Sequence, residues 1–366
     1  MNFAPVGFEA LPDWAATDVG AARRAFVRSC ALMQRRPADA PLSEIATYPG
    51  LVGDWAAACA AAGDEALADR AFWTAHFDAW SVTTATTDTG RLTSYYEPVM
   101  QARRTRDALH SEPIQAPPPD LLEADLGAFD PNLAGRKIVG RVAGGAFVPY
   151  RTRAEVRPET APVLAWGEPG EVMSLQIQGS GRLVFEDGAQ VRAAFAATNG
   201  RPFRSVAQEL IRRGELPANG ASMDAIKAWL RAADPAKARD VMNANPRTVF
   251  FALETIPDPG VGPRGSQGLP LEPGGSAAVD PVYHAYGTPF FLAAGAPRVT
   301  ATIDPTLRRL LIAQDSGGAI LGPIRADLYW GTGPEAAMRA GRVNHDLRWW
   351  VLLPKGMDPT RPRPRP

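Results

Sequence analysis

The stretch "AQDSGGAILGPIRADLYWGTG" (313–333) brackets a Gly-rich turn with two carboxyl groups, Asp315 and Asp327. A third acid, Asp280, ends the run "SAAVD". Each lies where a short apolar run meets a loop. A carboxyl at such an edge is partly desolvated, which raises its pKa. An acid that keeps its proton near neutrality can pass it to a leaving oxygen. The plainer alternative is that each Asp caps a turn by accepting from backbone N–H groups. Tyr95, Tyr96, Tyr286, Tyr329 and Trp330 lie near these polar, Gly-rich segments. Aromatic faces bury area against the apolar faces of sugar rings, and core packing is the competing use. For Trp349 and Trp350 core packing is the better reading.

"QIQGSGRL" (176–183) places Gly179 and Gly181 around Ser180. It lacks the Gly-Lys-Ser/Thr ending of a phosphate-cradling loop. It also lacks the G-x-S-x-G spacing of a nucleophile elbow, so a Ser–His–Asp hydrolase has little support. Gln178, Ser180 and the exposed backbone of the two glycines suit hydrogen bonding to an uncharged, hydroxyl-rich ligand. A plain β-turn explains the same residues.

Composition narrows the classes. The 366 residues allow two domains. Thirty-nine basic and 39 acidic residues leave no net charge, which argues against a mainly electrostatic nucleic-acid binder. Four scattered His and two Cys give no zinc pattern, and no metal or cofactor is expected. Cys30 and Cys59 both fall in expected helices. They read as two buried thiols, with a disulfide as the alternative in an oxidising compartment. No run of eighteen apolar residues marks a membrane span, and "MNFAPVGFEALPDW" lacks a signal-peptide pattern.

Elements follow from periodicity. The first eighty-odd residues read as helical: "GAARRAFVRSCALMQRR" aligns Ala22, Phe26, Cys30 and Met33 on one face. "RLTSYYEPVM" reads as a strand meeting a loop near Pro98. Strand-like runs follow near 137–149, 172–177 and 182–186, with "EDG" (186–188) as a hairpin turn. Helices are expected at "SVAQELIRR", "SMDAIKAWLRAA" and "AKARDVMNANP", the first two started by Ser205 and Ser222. Strands return after Thr248 in "VFFALE", "AAVD", "TPFFLAA", "RRLLIAQD", "LYW" and "RWWVLLP". "GPEAAMRAG" reads as a short helix. The pattern predicts a mainly β protein with N-terminal helices, in which one β domain (1–108 and 247–353) is interrupted by a smaller β-rich domain with helices (109–246). A ligand cleft between them is expected, followed by a disordered tail at 354–366.

In order along 90–353, the motifs "LTSYYEPV", "QIQGSGRLVFEDG", "AATNGRPFRSVAQELIRRGEL", "NPRTVFF", "GLPLEPGGSAAVDPVYHAYGTPFFL" and "AQDSGGAILGPIRADLYWGTGPEAAMRAGR" resemble the membrane-bound lytic murein transglycosylase A family, with its C-terminal three-aspartate region. The resemblance implies a double-psi β-barrel, an inserted smaller β-rich domain and a deep groove. It implies non-hydrolytic cleavage of the β-1,4 bond between N-acetylmuramic acid and N-acetylglucosamine, leaving a 1,6-anhydro ring. By motif, the catalytic acid/base falls on Asp327, with Asp315 and Asp280 as supporting carboxylates. Tyr96, Glu97, Gln178, Gly179, Ser180, Gly181 and Tyr329 are the expected substrate contacts. Glu97 stands where some members carry Thr, and a carboxylate there leaves open a two-acid hydrolysis. A non-catalytic glycan-binding protein is the other alternative. The expected partners are peptidoglycan strands and cell-wall synthesis or division complexes, with the chain a monomer. The expected location is periplasmic, possible at the outer membrane, although the lipid-anchor signal of many members is absent.

Overall fold

The computed structural model describes residues 1–133, 136–218, 220–297 and 307–361. In chain order its main elements are β1 (Asn2–Val6), α1 (Gly20–Met33), α2 (Ala56–Ala62), α3 (Asp69–His76), β2 (Phe77–Thr83), β3 (Gly90–Glu97), β4 (Val99–Arg103), β5 (Glu112–Gln115), β6 (Leu122–Asp125), β7 (Lys137–Ala143), β8 (Ala146–Pro149) and β9 (Val163–Gly167). Then come α4 (Pro169–Gln178), β10 (Gly181–Val184), β11 (Gln190–Thr198), α5 (Val206–Arg212), α6 (Met223–Ala232), α7 (Pro235–Asn243), β12 (Val249–Thr255), β13 (Ser276–Ala278), β14 (Pro289–Pro297), β15 (Arg308–Asp315), β16 (Arg325–Thr332), α8 (Pro334–Ala340) and β17 (Asn344–Pro354).

The chain divides into two compact units. The first comprises Met1–Tyr96, Arg264–Gly331 and the chain from Glu335. The second comprises Glu97–Pro263 and Thr332–Pro334. These junctions differ from the expected 108 and 246. The reason is pairing: β4 joins β9 and β10, and β12 joins β11, so both strands stay with the second unit.

The first unit holds an eight-stranded sheet in the order β1-β2-β17-β14-β15-β13-β16-β3, with a further β17–β3 pairing. On one edge β17 pairs with β14. On its other edge Asn344–Leu347 pair with β3, and Trp349–Pro354 pair with β2. Strands β3, β16, β13, β15, β14 and β17 thereby form a barrel-like ring. Two strands, β1 and β2, lie in the stretch expected to be helical. The first four residues of "FDAWSVT" alternate between buried and half-buried positions, a short period-two signal that the neighbouring Ala-rich helices obscure.

Helix α1 behaves as expected, with Ala22, Phe26, Cys30 and Met33 all buried. Phe26 packs with Trp55, Phe72, Trp73 and Phe77. Burying such a ring contributes about 2–3 kcal/mol. Cys30 and Cys59 are joined in a disulfide, with a Cα–Cα distance of 5.2 Å. This corrects the reading of two free thiols: α1 and α2 pack closely enough for the sulfurs to meet. Closing a loop over a sequence separation of 29 stabilises the fold by about 3–4 kcal/mol. Part of the expected tail is also held. Lys355 N–H donates to the His76 carbonyl at 3.0 Å and Gly356 N–H to Asp78 at 3.0 Å. Met357 packs on the core. Residues 362–366 of that expected tail lie outside the described residues.

The second unit has a six-stranded sheet, β12-β11-β10-β4-β9-β5, and a three-stranded sheet, β6-β7-β8. Strands β10 and β11 form the hairpin expected around "EDG". Ser205 and Ser222 cap α5 and α6 as expected. The run 172–177 is part of α4 instead of a strand. Pro169 is pre-set for a first helical turn, and Gly179, at φ +85°, ends the helix in the left-handed conformation.

Candidate active site

The acids are placed by strand register. Ala278 of β13 pairs with Asp315 of β15 on one side and with Asp327 of β16 on the other. The two carboxyl-bearing positions thus lie at one level of the sheet, two strand spacings or roughly 10 Å apart. Strand β13 runs between the two acid-bearing strands, so the Gly-rich turn does not place them side by side.

Strand β3 supplies a hydroxyl to each acid. Thr93 and Tyr95 are two residues apart, so they project to the same face. The Thr93 hydroxyl donates to Asp327 Oδ1. The Tyr95 hydroxyl donates to Asp315 Oδ2 at 2.7 Å. Arg325, two residues before Asp327 on β16, donates from Nη2 to Thr93 Oγ1 at 2.8 Å. The result is a chain of donors, Arg325 to Thr93 to Asp327. At the head of β3, a Cβ on Gly90 would overlap the Ile324 carbonyl. Glycine there lets Arg91 N–H reach that carbonyl at 3.0 Å.

The two acids are engaged differently. Besides Tyr95, Asp315 accepts from Ser266 N–H, Ser266 Oγ and Ser316 N–H, each at 2.9 Å. Among the described residues, Asp327 Oδ2 receives no donor. Burial pushes the Asp327 carboxyl above its ordinary range, with the Asp315 charge adding to the rise. The Thr93 hydroxyl and the Arg325 and Arg91 cations pull it back. Burial also raises Asp315, against its hydroxyl and amide donors. Tyr95 is pushed well above the ordinary tyrosine range, first by burial and then by Asp315, so its hydroxyl keeps its proton.

The third acid, Asp280, is buried and holds two turns. It accepts from Val282 N–H at 3.0 Å and from Gly322 N–H at 2.7 Å. Among the described residues, no three His, Cys, Asp or Glu side chains are grouped to hold a metal ion.

The MltA specific insert domain model matches residues 91–252, and the 3D domain model matches residues 275–353, which contain all three acids. The crystal structure of MltA from Neisseria gonorrhoeae in its monoclinic form has a TM-score of 0.77 at 30% identity, over 99% of this chain and 94% of that one. The chain belongs to the MltA family.

A membrane-bound lytic murein transglycosylase A of Escherichia coli is 31% identical over 268 residues. That match covers 72% of this chain and 65% of the length of the curated relative. The E. coli MltA structure with bound chitohexaose has a TM-score of 0.68 at 27% identity, over 97% of this chain and 95% of that one.

The remaining residues expected at an MltA-type site have other surroundings. Tyr329 is fully buried, its ring 5.3 Å from that of Tyr95. Tyr96 is half-buried at the end of β3. Glu97 belongs to the second unit and is buried. It accepts from Arg182 Nε at 2.9 Å, Arg192 Nε at 2.6 Å and Thr332 Oγ1 at 2.7 Å. "QIQGSGRL" is the joint between α4 and β10. Gly179 N–H donates to the Leu175 carbonyl at 2.9 Å, and Ser180 Oγ accepts from Phe195 N–H at 3.1 Å. Gly181 opens β10, and Gln178 is half-buried at the end of α4.

Three members of the acid cluster escaped the sequence reading as functional residues: Thr93, Arg325 and Ser266. The first two carry a usable signal. Thr93 and Tyr95 share strand parity in "LTSYY", and Arg325 shares it with Asp327 in "RAD". Ser266 lies 49 residues from Asp315, and no local pattern links them.

Proposed function

We propose that this chain is a lytic transglycosylase that cleaves the muramic acid–glucosamine bond of peptidoglycan without water, using Asp327 as its single acid/base. The observation that carries the reading is the contrast between the two acids. Asp315 is occupied by four donors, whereas Asp327 combines a raised pKa with an oxygen that receives no donor among the described residues. The names of the relatives support the same reaction class.

The step closes on itself. Protonated Asp327 donates to the glycosidic oxygen as the bond from that oxygen to the muramic C1 breaks. The carboxylate left behind then accepts the 6-hydroxyl proton as O6 bonds to C1. The acid form is restored, and the product is the 1,6-anhydro sugar. Because the nucleophile belongs to the reacting sugar, its effective concentration is very high. Thr93 and Arg325 favour the carboxylate at the moment it forms.

Two-carboxylate hydrolysis needs a second available carboxylate. The oxygens of Asp315 and Glu97 are instead taken by protein donors. Tyr96, Gln178 and Gly179 remain the sugar-contact candidates, while Glu97, Ser180, Gly181 and Tyr329 act by supporting backbone and rings. The barrel-like ring is read as a double-psi β-barrel. The bound chitohexaose of the E. coli relative supports a glycan as ligand. The disulfide favours an oxidising, periplasmic compartment. No described helix is long and apolar enough to cross a membrane. The chain is proposed to act as a monomer on glycan strands, within reach of cell-wall synthesis or division complexes.

Digestion of purified sacculi should release muropeptides lighter by one water than the hydrolytic products, read by mass spectrometry. Reducing-end muramic acid as the main product would reject the mechanism. The activity should also fall as pH rises through the Asp327 pKa, because the starting form is the acid. Arg325→Met removes a cation that favours the carboxylate, so the proton is held to higher pH. The alkaline limb of kcat should therefore move upward, and an unchanged limb would remove Arg325 from the mechanism.

A further inference from the structure

His284 has no place in the reaction just described, yet it is 1% exposed and bonded at both ring nitrogens. Nε2 lies 2.8 Å from the Pro323 carbonyl, and Nδ1 lies 2.9 Å from the Tyr48 hydroxyl. A carbonyl only accepts, so Nε2 carries the proton and Nδ1 accepts from Tyr48. The ring stacks on Trp349 at 4.5 Å, and Trp349 stacks on Phe290 at 3.9 Å. Burial pushes the His284 pKa down to about 4, with the Pro323 bond and the Asp280 charge opposing. The side chain is thus a neutral, oriented donor.

Its acceptor is informative. Gly322 donates to Asp280 at 2.7 Å, and the next residue, Pro323, accepts from His284. Asp280 and His284 lie four residues apart on one turn, where the Asp280 carbonyl accepts from His284 N–H at 3.0 Å. Ile324, next again, is fixed by Arg91. Three consecutive residues are therefore pinned immediately before β16, and Asp327 is the third residue of that strand.

The geometry points to His284 as a positioning residue for Asp327: with Asp280 it clamps Gly322–Pro323, setting where β16 begins and holding the Asp327 carboxyl against Thr93. This role rests on the transglycosylase reading for its kinetic effect but not for its structural one. Small displacements of a reacting group are costly, about 10²-fold for roughly 1 Å.

The test uses the full chain and two partial replacements. In His284→Gln the amide nitrogen takes the place of Nε2 and keeps the bond to Pro323. In His284→Asn the polar atoms reach only the Nδ1 side. His284→Asn should lower kcat on sacculi about 10²-fold with KM little changed, and His284→Gln should stay close to wild type. Without substrate, ¹³C NMR of the Asp327 carboxyl should show its titration moved in His284→Asn toward that of Thr93→Val, and unmoved in His284→Gln. Long-range ¹⁵N spectra of the wild type should show the Nε2–H tautomer at neutral pH. An Nδ1–H tautomer would overturn the proposal even if neither variant folds. Equal behaviour of the two variants in kcat and in the carboxyl titration would also overturn it. If wild type yields no anhydro product, the functional reading fails, while the two NMR measurements still decide the clamp.

Discussion

Asp327→Asn should lower release of anhydro-muropeptides by roughly 10³-fold, within the range that a lost general acid–base group commands. The amide cannot donate an acidic proton to the glycosidic oxygen or take one from the 6-hydroxyl. Its oxygen still accepts from Thr93, so the donor chain from Arg325 keeps its end point. Folding and glycan affinity should stay near wild type, measured by thermal melting and by calorimetry with chitohexaose. Turnover above a tenth of wild type would move the chemistry to another group. Asp315→Asn is the useful control. Its loss should reflect a disturbed Tyr95 and Ser266 network, with a partial fall in rate.

Glu97→Ala should cost about 3–5 kcal/mol of stability, because it leaves two arginines buried without their counter-ion. The Glu97 side chain is 0% exposed, and those of Arg182 and Arg192 are 8% and 6% exposed. Both guanidinium groups also donate to the Val261 carbonyl, so they are not free to swing out to water. Urea denaturation should show an earlier midpoint, and a change within experimental error would mean that the network relaxes or hydrates. Glu97→Gln, which keeps the shape, decides the competing chemistry. A two-acid hydrolase using Glu97 would lose turnover per folded molecule. The single-acid mechanism predicts anhydro product at a rate near wild type.

Much of the architecture was legible because its signals were local. The capping serines of α5 and α6, the hairpin at "EDG" and the apolar runs after Thr248 each fit within a few residues. Strands β1 and β2 were missed because their partners lie far along the chain. Nothing near "FDAWSVT" reveals Trp349–Pro354. The "QGSG" segment has local structural uses. Gly179 terminates a helix and Ser180 satisfies a backbone amide, uses that its sequence did not reveal, while Gln178 and Gly179 stay proposed sugar contacts. For the site, motif and residue type pointed to the acids, but only register could show that Ala278 separates Asp315 from Asp327. Which carboxyl keeps an oxygen open was likewise unreadable, since Ser266 reaches Asp315 from a distant turn.

The split edge of β17 has a consequence for how the molecule is made. The strand that completes the ring begins at Asn344, while one of its partners, β3, begins at Gly90. The loop-closure entropy of that contact must be met before it returns any energy, and folds dominated by such distant pairings form slowly. On a ribosome, the stretch 97–263 is complete long before the ring can be. The ring that carries Asp327 is then closed last, after nearly the whole chain is available.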